Sequence, residues 1–124
     1  MSEKTILIVD DEPDLTDLLQ IKLNRAGYRV RIATTGSEAL AALATEKPDL
    51  IVLDVMIPPP DGNKVCRIIK SSRDYQDIPV IMLSARGMKD DVVKGYAAGA
   101  DFYLTKPIKP RDLVKKIEEV LSTK

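Results

Sequence analysis

Asp49-Leu50-Ile51-Val52-Leu53-Asp54 is an apolar run closed by an acid. It lacks the two-residue alternation of a strand with one wet face, so both faces are expected to be covered. A carboxylate at the end of a buried strand is unfavourable unless it is paired. Two more segments end on charge in the same way. Ile6-Leu7-Ile8-Val9 leads into Asp10-Asp11, and a segment over 101–105 leads into Lys106. If these are neighbouring parallel strands, three acids and one lysine converge at one edge of a sheet.

The pattern extends along the chain. Strands are expected at 5–10, 28–33, 49–54, 79–84 and 101–105, and helices near 13–26, 36–45, 62–72, 88–98 and 110–122. Pro13 suits a first helical turn, where its missing N–H is no loss. Gly27 and Gly99 read as C-terminal stops, and Thr35 or Ser37 as a cap of the second helix. Leu113, Val114, Ile117, Val120 and Leu121 form a stripe on the last helix, and Val65, Ile68 and Ile69 one on the third. Met82 and Met88 read as packing residues, and Cys66 as a small core hydrophobe. Five strand–helix units in alternation predict an α/β fold: a parallel sheet with right-handed crossovers and helices on both faces.

The 124 residues suit one domain. One cysteine excludes an internal disulfide and a cysteine-rich zinc site. The start of the chain does not resemble a signal peptide, and no apolar stretch approaches the ~20 residues that span a bilayer. A cytoplasmic protein without membrane contact is therefore expected. Nineteen basic and nineteen acidic residues cancel, which argues against direct nucleic-acid binding by this segment. There is no histidine, so any phosphohistidine chemistry must come from a partner.

In open α/β sheets, ligands bind beyond the carboxyl ends of the strands. Asp10, Asp11, Asp54, Ser84 and Lys106 all fall there. Close carboxylates repel, and a hard cation removes the conflict. Mg²⁺ fits, because it takes oxygen ligands and needs only one or two direct carboxylates plus phosphate. Lys106 offers a point charge and Ser84 a hydroxyl for phosphoryl oxygens. Phosphoryl transfer needs mainly such positioning and charge neutralisation. Taken alone, Asp10-Asp11-Glu12 could instead be a helix N-cap.

The motifs Ile8-Val9-Asp10-Asp11-Glu12, Leu53-Asp54-Val55-Met56 with Pro58 and Asp61-Gly62, Leu83-Ser84-Ala85, Gly95-Tyr96-Ala97-Ala98-Gly99-Ala100-Asp101 and Tyr103-Leu104-Thr105-Lys106-Pro107 follow in order. With them the chain resembles the receiver domain of two-component response regulators over essentially its whole length. The resemblance implies one receiver domain over 1–124 with a flavodoxin-like sheet of order 2-1-3-4-5. It implies that Asp54 accepts a phosphoryl group from a partner phosphohistidine. Asp11, Asp54 and the backbone carbonyl of Met56 would ligate Mg²⁺, with Asp10 acting through a metal-bound water. Lys106, Ser84 and the amide of Ala85 would bind phosphoryl oxygens. Tyr103 would change rotamer as Ser84 moves, altering the surface of helix four, strand five and helix five. Read on its own, Tyr103 packs its ring and leaves its hydroxyl to water. The Lys106-Pro107 bond would be cis.

The implied partners are a sensor histidine kinase or histidine phosphotransfer protein, and a downstream effector or fused output domain. A monomer or a phosphorylation-dependent dimer is expected, with slow self-dephosphorylation and no turnover. One departure from the family pattern is Ile57-Pro58-Pro59-Pro60-Asp61-Gly62, where three prolines remove three amide donors. Another residue of interest is Arg86, expected to reach toward the phosphoryl group or the kinase.

Two other classes compete. A dinucleotide-binding module needs glycines after the first strand, where this chain has Asp11-Glu12-Pro13. A haloacid dehalogenase-like phosphatase would carry a second aspartate where Met56 stands. A receiver-like fold used only for docking would be favoured if an acid or Lys106 were missing; none is.

Overall fold

The computed structural model describes residues 3–122. The expectation of one domain over 1–124 therefore includes residues 1, 2, 123 and 124, which lie outside the described part. The strands are β1 (Thr5–Val9), β2 (Arg29–Ala33), β3 (Leu50–Leu53), β4 (Val80–Ser84) and β5 (Phe102–Thr105). The helices are α1 (Pro13–Arg25), α2 (Gly36–Thr45), α3 (Gly62–Ser71), α4 (Lys89–Ala97) and α5 (Pro110–Ser122). The strands pair in parallel in the order β2-β1-β3-β4-β5, as expected.

Strand alternation splits the core into two layers. Leu7, Val9, Ile51, Leu53, Val80 and Met82 face one side, against Leu43 of α2 and Val65, Cys66 and Ile69 of α3. Ile6, Ile8, Leu50, Val52, Ile81 and Leu83 face the other, against Leu19 and Leu23 of α1 and Leu113, Ile117 and Val120 of α5. Covering both faces explains why the strands read as continuous apolar runs.

The ends are chemically specified. Pro13 opens α1. Gly27 and Gly99 adopt φ of 98° and 106°, the left-handed region that glycine enters without a Cβ penalty. Thr35 caps α2, its Oγ1 accepting the Glu38 N–H at 3.0 Å, while Glu38 Oε1 accepts the Thr34 N–H at 2.8 Å. Ser37, the other candidate cap, donates instead to the Pro59 carbonyl at 3.3 Å. Asp61 caps α3 by accepting the Lys64 N–H at 2.9 Å.

Some expectations need correction. Several elements stop a residue short, and Asp10 and Asp54 lie just beyond β1 and β3. Ile68 is 41% exposed: Val65 and Ile69 carry the buried face of α3, and Ile68 borders a surface hollow with Lys64 and Arg67. Met88 is 76% exposed, because it occupies the N-cap position of α4, before the helix has a face to bury. The Asp10-Asp11-Glu12 run does not cap α1. Glu12 sits at the N-cap, but no side chain bonds the first turn there.

Candidate functional site

Sheet register builds the site. Val9 pairs with Leu53, so the next residues, Asp10 and Asp54, emerge side by side. The Asp54 N–H donates to the Val9 carbonyl at 3.0 Å, holding the two strand ends together. Leu53 pairs with Met82, which lets β4 run on to Ser84. Ser84 pairs with Thr105, and the Lys106 N–H donates to the Ser84 carbonyl at 2.9 Å. Each charged or hydroxyl group thus leaves the sheet at the same edge.

Lys106 gathers the acids. Its Nζ donates to Glu12 Oε1 at 2.6 Å, Asp10 Oδ2 at 2.8 Å and Asp54 Oδ2 at 3.0 Å. The Asp10 and Asp54 side chains are 4% and 6% exposed, that of Glu12 58%. Burial by itself would lower the lysine pKa. The hydrogen bonds to Asp10, Glu12 and Asp54, with the field of Asp54, outweigh it and raise the pKa, so the ammonium stays charged at any working pH. Asp10 is shifted upward, chiefly by burial; its bonds to Lys106 and to the Glu12 N–H oppose that shift, and the Asp54 charge adds to it. The other Asp54 oxygen accepts the Met56 N–H at 3.1 Å.

The carboxylate oxygens of Asp10, Glu12 and Asp54 lie within 4.8 Å of one another. Oxygen ligands at that spacing could hold a metal ion, and the Lys106 ammonium already bonds all three side chains. Asp11 is not in this triplet. It is exposed and lines, with Val55 and Met56, a cleft of about 550 Å³, bordered also by Asn63, Arg86, Asp91 and Tyr103. Sequence reasoning missed Glu12 as a lysine partner. The only signal was its place at the end of the Asp10-Asp11-Glu12 run.

Ser84 is fully buried, and its Oγ accepts the Arg86 N–H at 3.2 Å. Ala85 is exposed and borders a hollow of about 420 Å³ with Glu12, Lys106 and Pro107. The Tyr103 hydroxyl is not left to water. It donates to the Arg86 carbonyl, because the ring lies over Gly95, where an added Cβ would come within 2.5 Å of it. The Arg86 guanidinium lies 3.9 Å from Asp91, at the cleft wall. The Lys106-Pro107 bond is cis, and so is Pro59-Pro60. The proline loop is docked on α2: the Gly36 N–H donates to the Pro58 carbonyl at 2.9 Å. A Cβ on Gly36 would lie 1.8 Å from the Pro60 carbonyl oxygen.

The fold and edge define an α/β module that concentrates acids, a lysine and a hydroxyl at one end of a parallel sheet. Residues 6–118 match the family model of the response regulator receiver domain. The chain belongs to that family, the signalling modules of two-component systems. It is 46% identical over 118 residues to the alkaline phosphatase synthesis transcriptional regulatory protein PhoP of Bacillus subtilis, covering 95% of this chain and 48% of that protein. It is 43% identical to the phosphate regulon transcriptional regulatory protein PhoB of Pseudomonas aeruginosa, covering 98% and 53%. The chain thus spans about half the length of these relatives. A putative response regulator from Chloroflexus aurantiacus superposes with a TM-score of 0.91 at 36% identity, covering 98% of this chain and 99% of that one. Among the described residues, no helix is long and apolar enough to cross a membrane.

Proposed function

We propose that Asp54 accepts a phosphoryl group from a phosphohistidine on a sensor histidine kinase or histidine phosphotransfer protein. The observation that carries this reading is the pairing of buried Asp54 and Asp10 with one lysine at the sheet edge. An Asp54 oxygen bonds to phosphorus while the P–N bond breaks, and the departing imidazole keeps the electron pair. Residues 1–124 contain no histidine, so the donor imidazole lies outside them.

Asp10, Asp11, Asp54 and the Met56 carbonyl are the groups we assign to Mg²⁺, which would neutralise phosphoryl charge when bound. Lys106 contributes fixed positive charge. The Ser84 hydroxyl and the Ala85 N–H contribute donors for phosphoryl oxygens. When Ser84 turns toward the phosphate, the Tyr103 hydroxyl exchanges its bond to the Arg86 carbonyl, and the α4–β5–α5 surface changes population. That surface addresses an effector or a fused output domain. PhoP and PhoB are transcriptional regulators, and an output of that kind suits a chain spanning half of them. The module catalyses its own phosphorylation and slow dephosphorylation, without turnover.

The test is intact mass after incubation with Mg²⁺ and a small acyl-phosphate donor. One added phosphate is expected on the wild type and none on Asp54→Asn. A wild type that takes up no phosphate, even from a competent kinase, points to a docking module instead.

A further inference from the structure

An ammonium group has three N–H donors. In Lys106 each faces a carboxylate: Glu12 at 2.6 Å, Asp10 at 2.8 Å and Asp54 at 3.0 Å. A phosphoryl oxygen can be bonded only after one acceptor is released, and the three are not equivalent. Asp10 is almost dry, so losing its cation would strand a buried charge. Asp54 lies where the phosphate forms, so leaving it would carry the ammonium away from its target. Glu12 is 58% exposed, and water can replace the lysine at little cost. Although Glu12 stands at the N-cap of α1, its side chain makes no cap bond that would hold it there.

We infer that Glu12 is the exchangeable partner of Lys106, a positioning residue that tethers the ammonium on the α1 side and yields it to the arriving phosphoryl group. The inference rests on the phosphotransfer reading above. The Glu12 bond, at 2.6 Å, occupies one ammonium N–H on the α1 side while Asp54 holds another at 3.0 Å, and that N–H is withheld from a phosphoryl oxygen until Glu12 lets go. Glu12 thereby slows phosphorylation through Lys106.

The experiment compares phosphorylation rates of the wild type, Glu12→Gln, Glu12→Asp and Asp14→Asn, using a small acyl-phosphate donor with Mg²⁺. Urea denaturation of each variant confirms folding. Glu12→Gln is expected to react roughly two- to fivefold faster, the scale of one exposed ion pair. Glu12→Asp, which keeps the charge on a shorter arm, should fall between it and the wild type. Asp14→Asn removes a neighbouring acid of the first turn of α1 and should leave the rate unchanged. If both neutral variants accelerate equally, the effect is general charge repulsion and the tether is refuted. If Glu12→Gln matches a wild type that does take up phosphate, the tether fails while the phosphotransfer reading stands. A wild type that takes up none overturns both.

Discussion

Replacing Lys106 by methionine keeps a long apolar stem and deletes the charge. Removing one partner from a buried ion pair typically costs about 3–5 kcal/mol. Here the cost falls on Asp10 and Asp54, both less than a tenth exposed, while Glu12 is solvated and adds little. The stranded carboxylates have one relief: one can take a proton, at about 1.4 kcal/mol for each pH unit above its pKa. That relief caps the loss, so we expect the lower end, about 3 kcal/mol at pH 7.5. The pH dependence has a definite sign. Asp10 already titrates above its ordinary value of 3.8, because burial disfavours its charge. Removal of the lysine, a cause that lowers it, moves it further up. As pH falls toward 5, the folded variant binds a proton that the unfolded chain does not yet bind, so stability rises. Urea unfolding followed by circular dichroism at pH 7.5 and 5.5 reads both effects. With a slope near 1.5 kcal/mol/M, the midpoint should drop by about 2 M at pH 7.5, and the gap to wild type should narrow at pH 5.5. A variant as stable as wild type at pH 7.5, or a gap that widens in acid, would refute the claim that Lys106 neutralises these acids.

Gly36→Ala puts a methyl group 1.8 Å from the Pro60 carbonyl oxygen and should destabilise the protein by about 1–3 kcal/mol through loop displacement. Gly27→Ala meets no atom within 4 Å and should cost only about 1 kcal/mol, from its left-handed backbone; urea midpoints compare the two, and equal losses would contradict the steric argument. The Cys66 thiol is pushed up to about 11 by burial, from an ordinary 9.0. It should resist a disulfide reagent at pH 8 until the protein is unfolded. Between pH 9 and 11 the unfolded thiol ionises first, so stability should fall by roughly 1.4 kcal/mol per pH unit, and a Cys66→Ala variant should lose that slope. Arg86→Ala should change stability by less than about 0.5 kcal/mol, since its pair with Asp91 is long, at 3.9 Å, and its guanidinium is exposed, yet shift the phosphorylation or dephosphorylation rate; unchanged rates of both steps would remove Arg86 from the site.

Much of the fold is legible along the chain because its causes are local. Continuous apolar runs mark strands covered on both faces, and Pro13, Thr35, Gly27 and Gly99 mark the ends of helices through backbone geometry. Exposure at single positions is less legible. Ile68 and Met88 are apolar, but their burial depends on whether a neighbour covers that part of the helix, and none does.

The five strand–helix units and the acids, serine and lysine at strand ends are readable along the chain, because periodicity and capping act within a few residues. The tertiary structure decided which of those groups touch. Lys106 lies 94 residues from Glu12, 96 from Asp10 and 52 from Asp54, and only the register of β1, β3, β4 and β5 brings them within hydrogen-bonding distance. It joined Glu12 to the lysine, turned Asp11 toward the cleft with Met56, and anchored the Tyr103 hydroxyl. Hydrogen bonds are decided over tenths of an ångström, and a one-dimensional pattern fixes position only to the nearest residue.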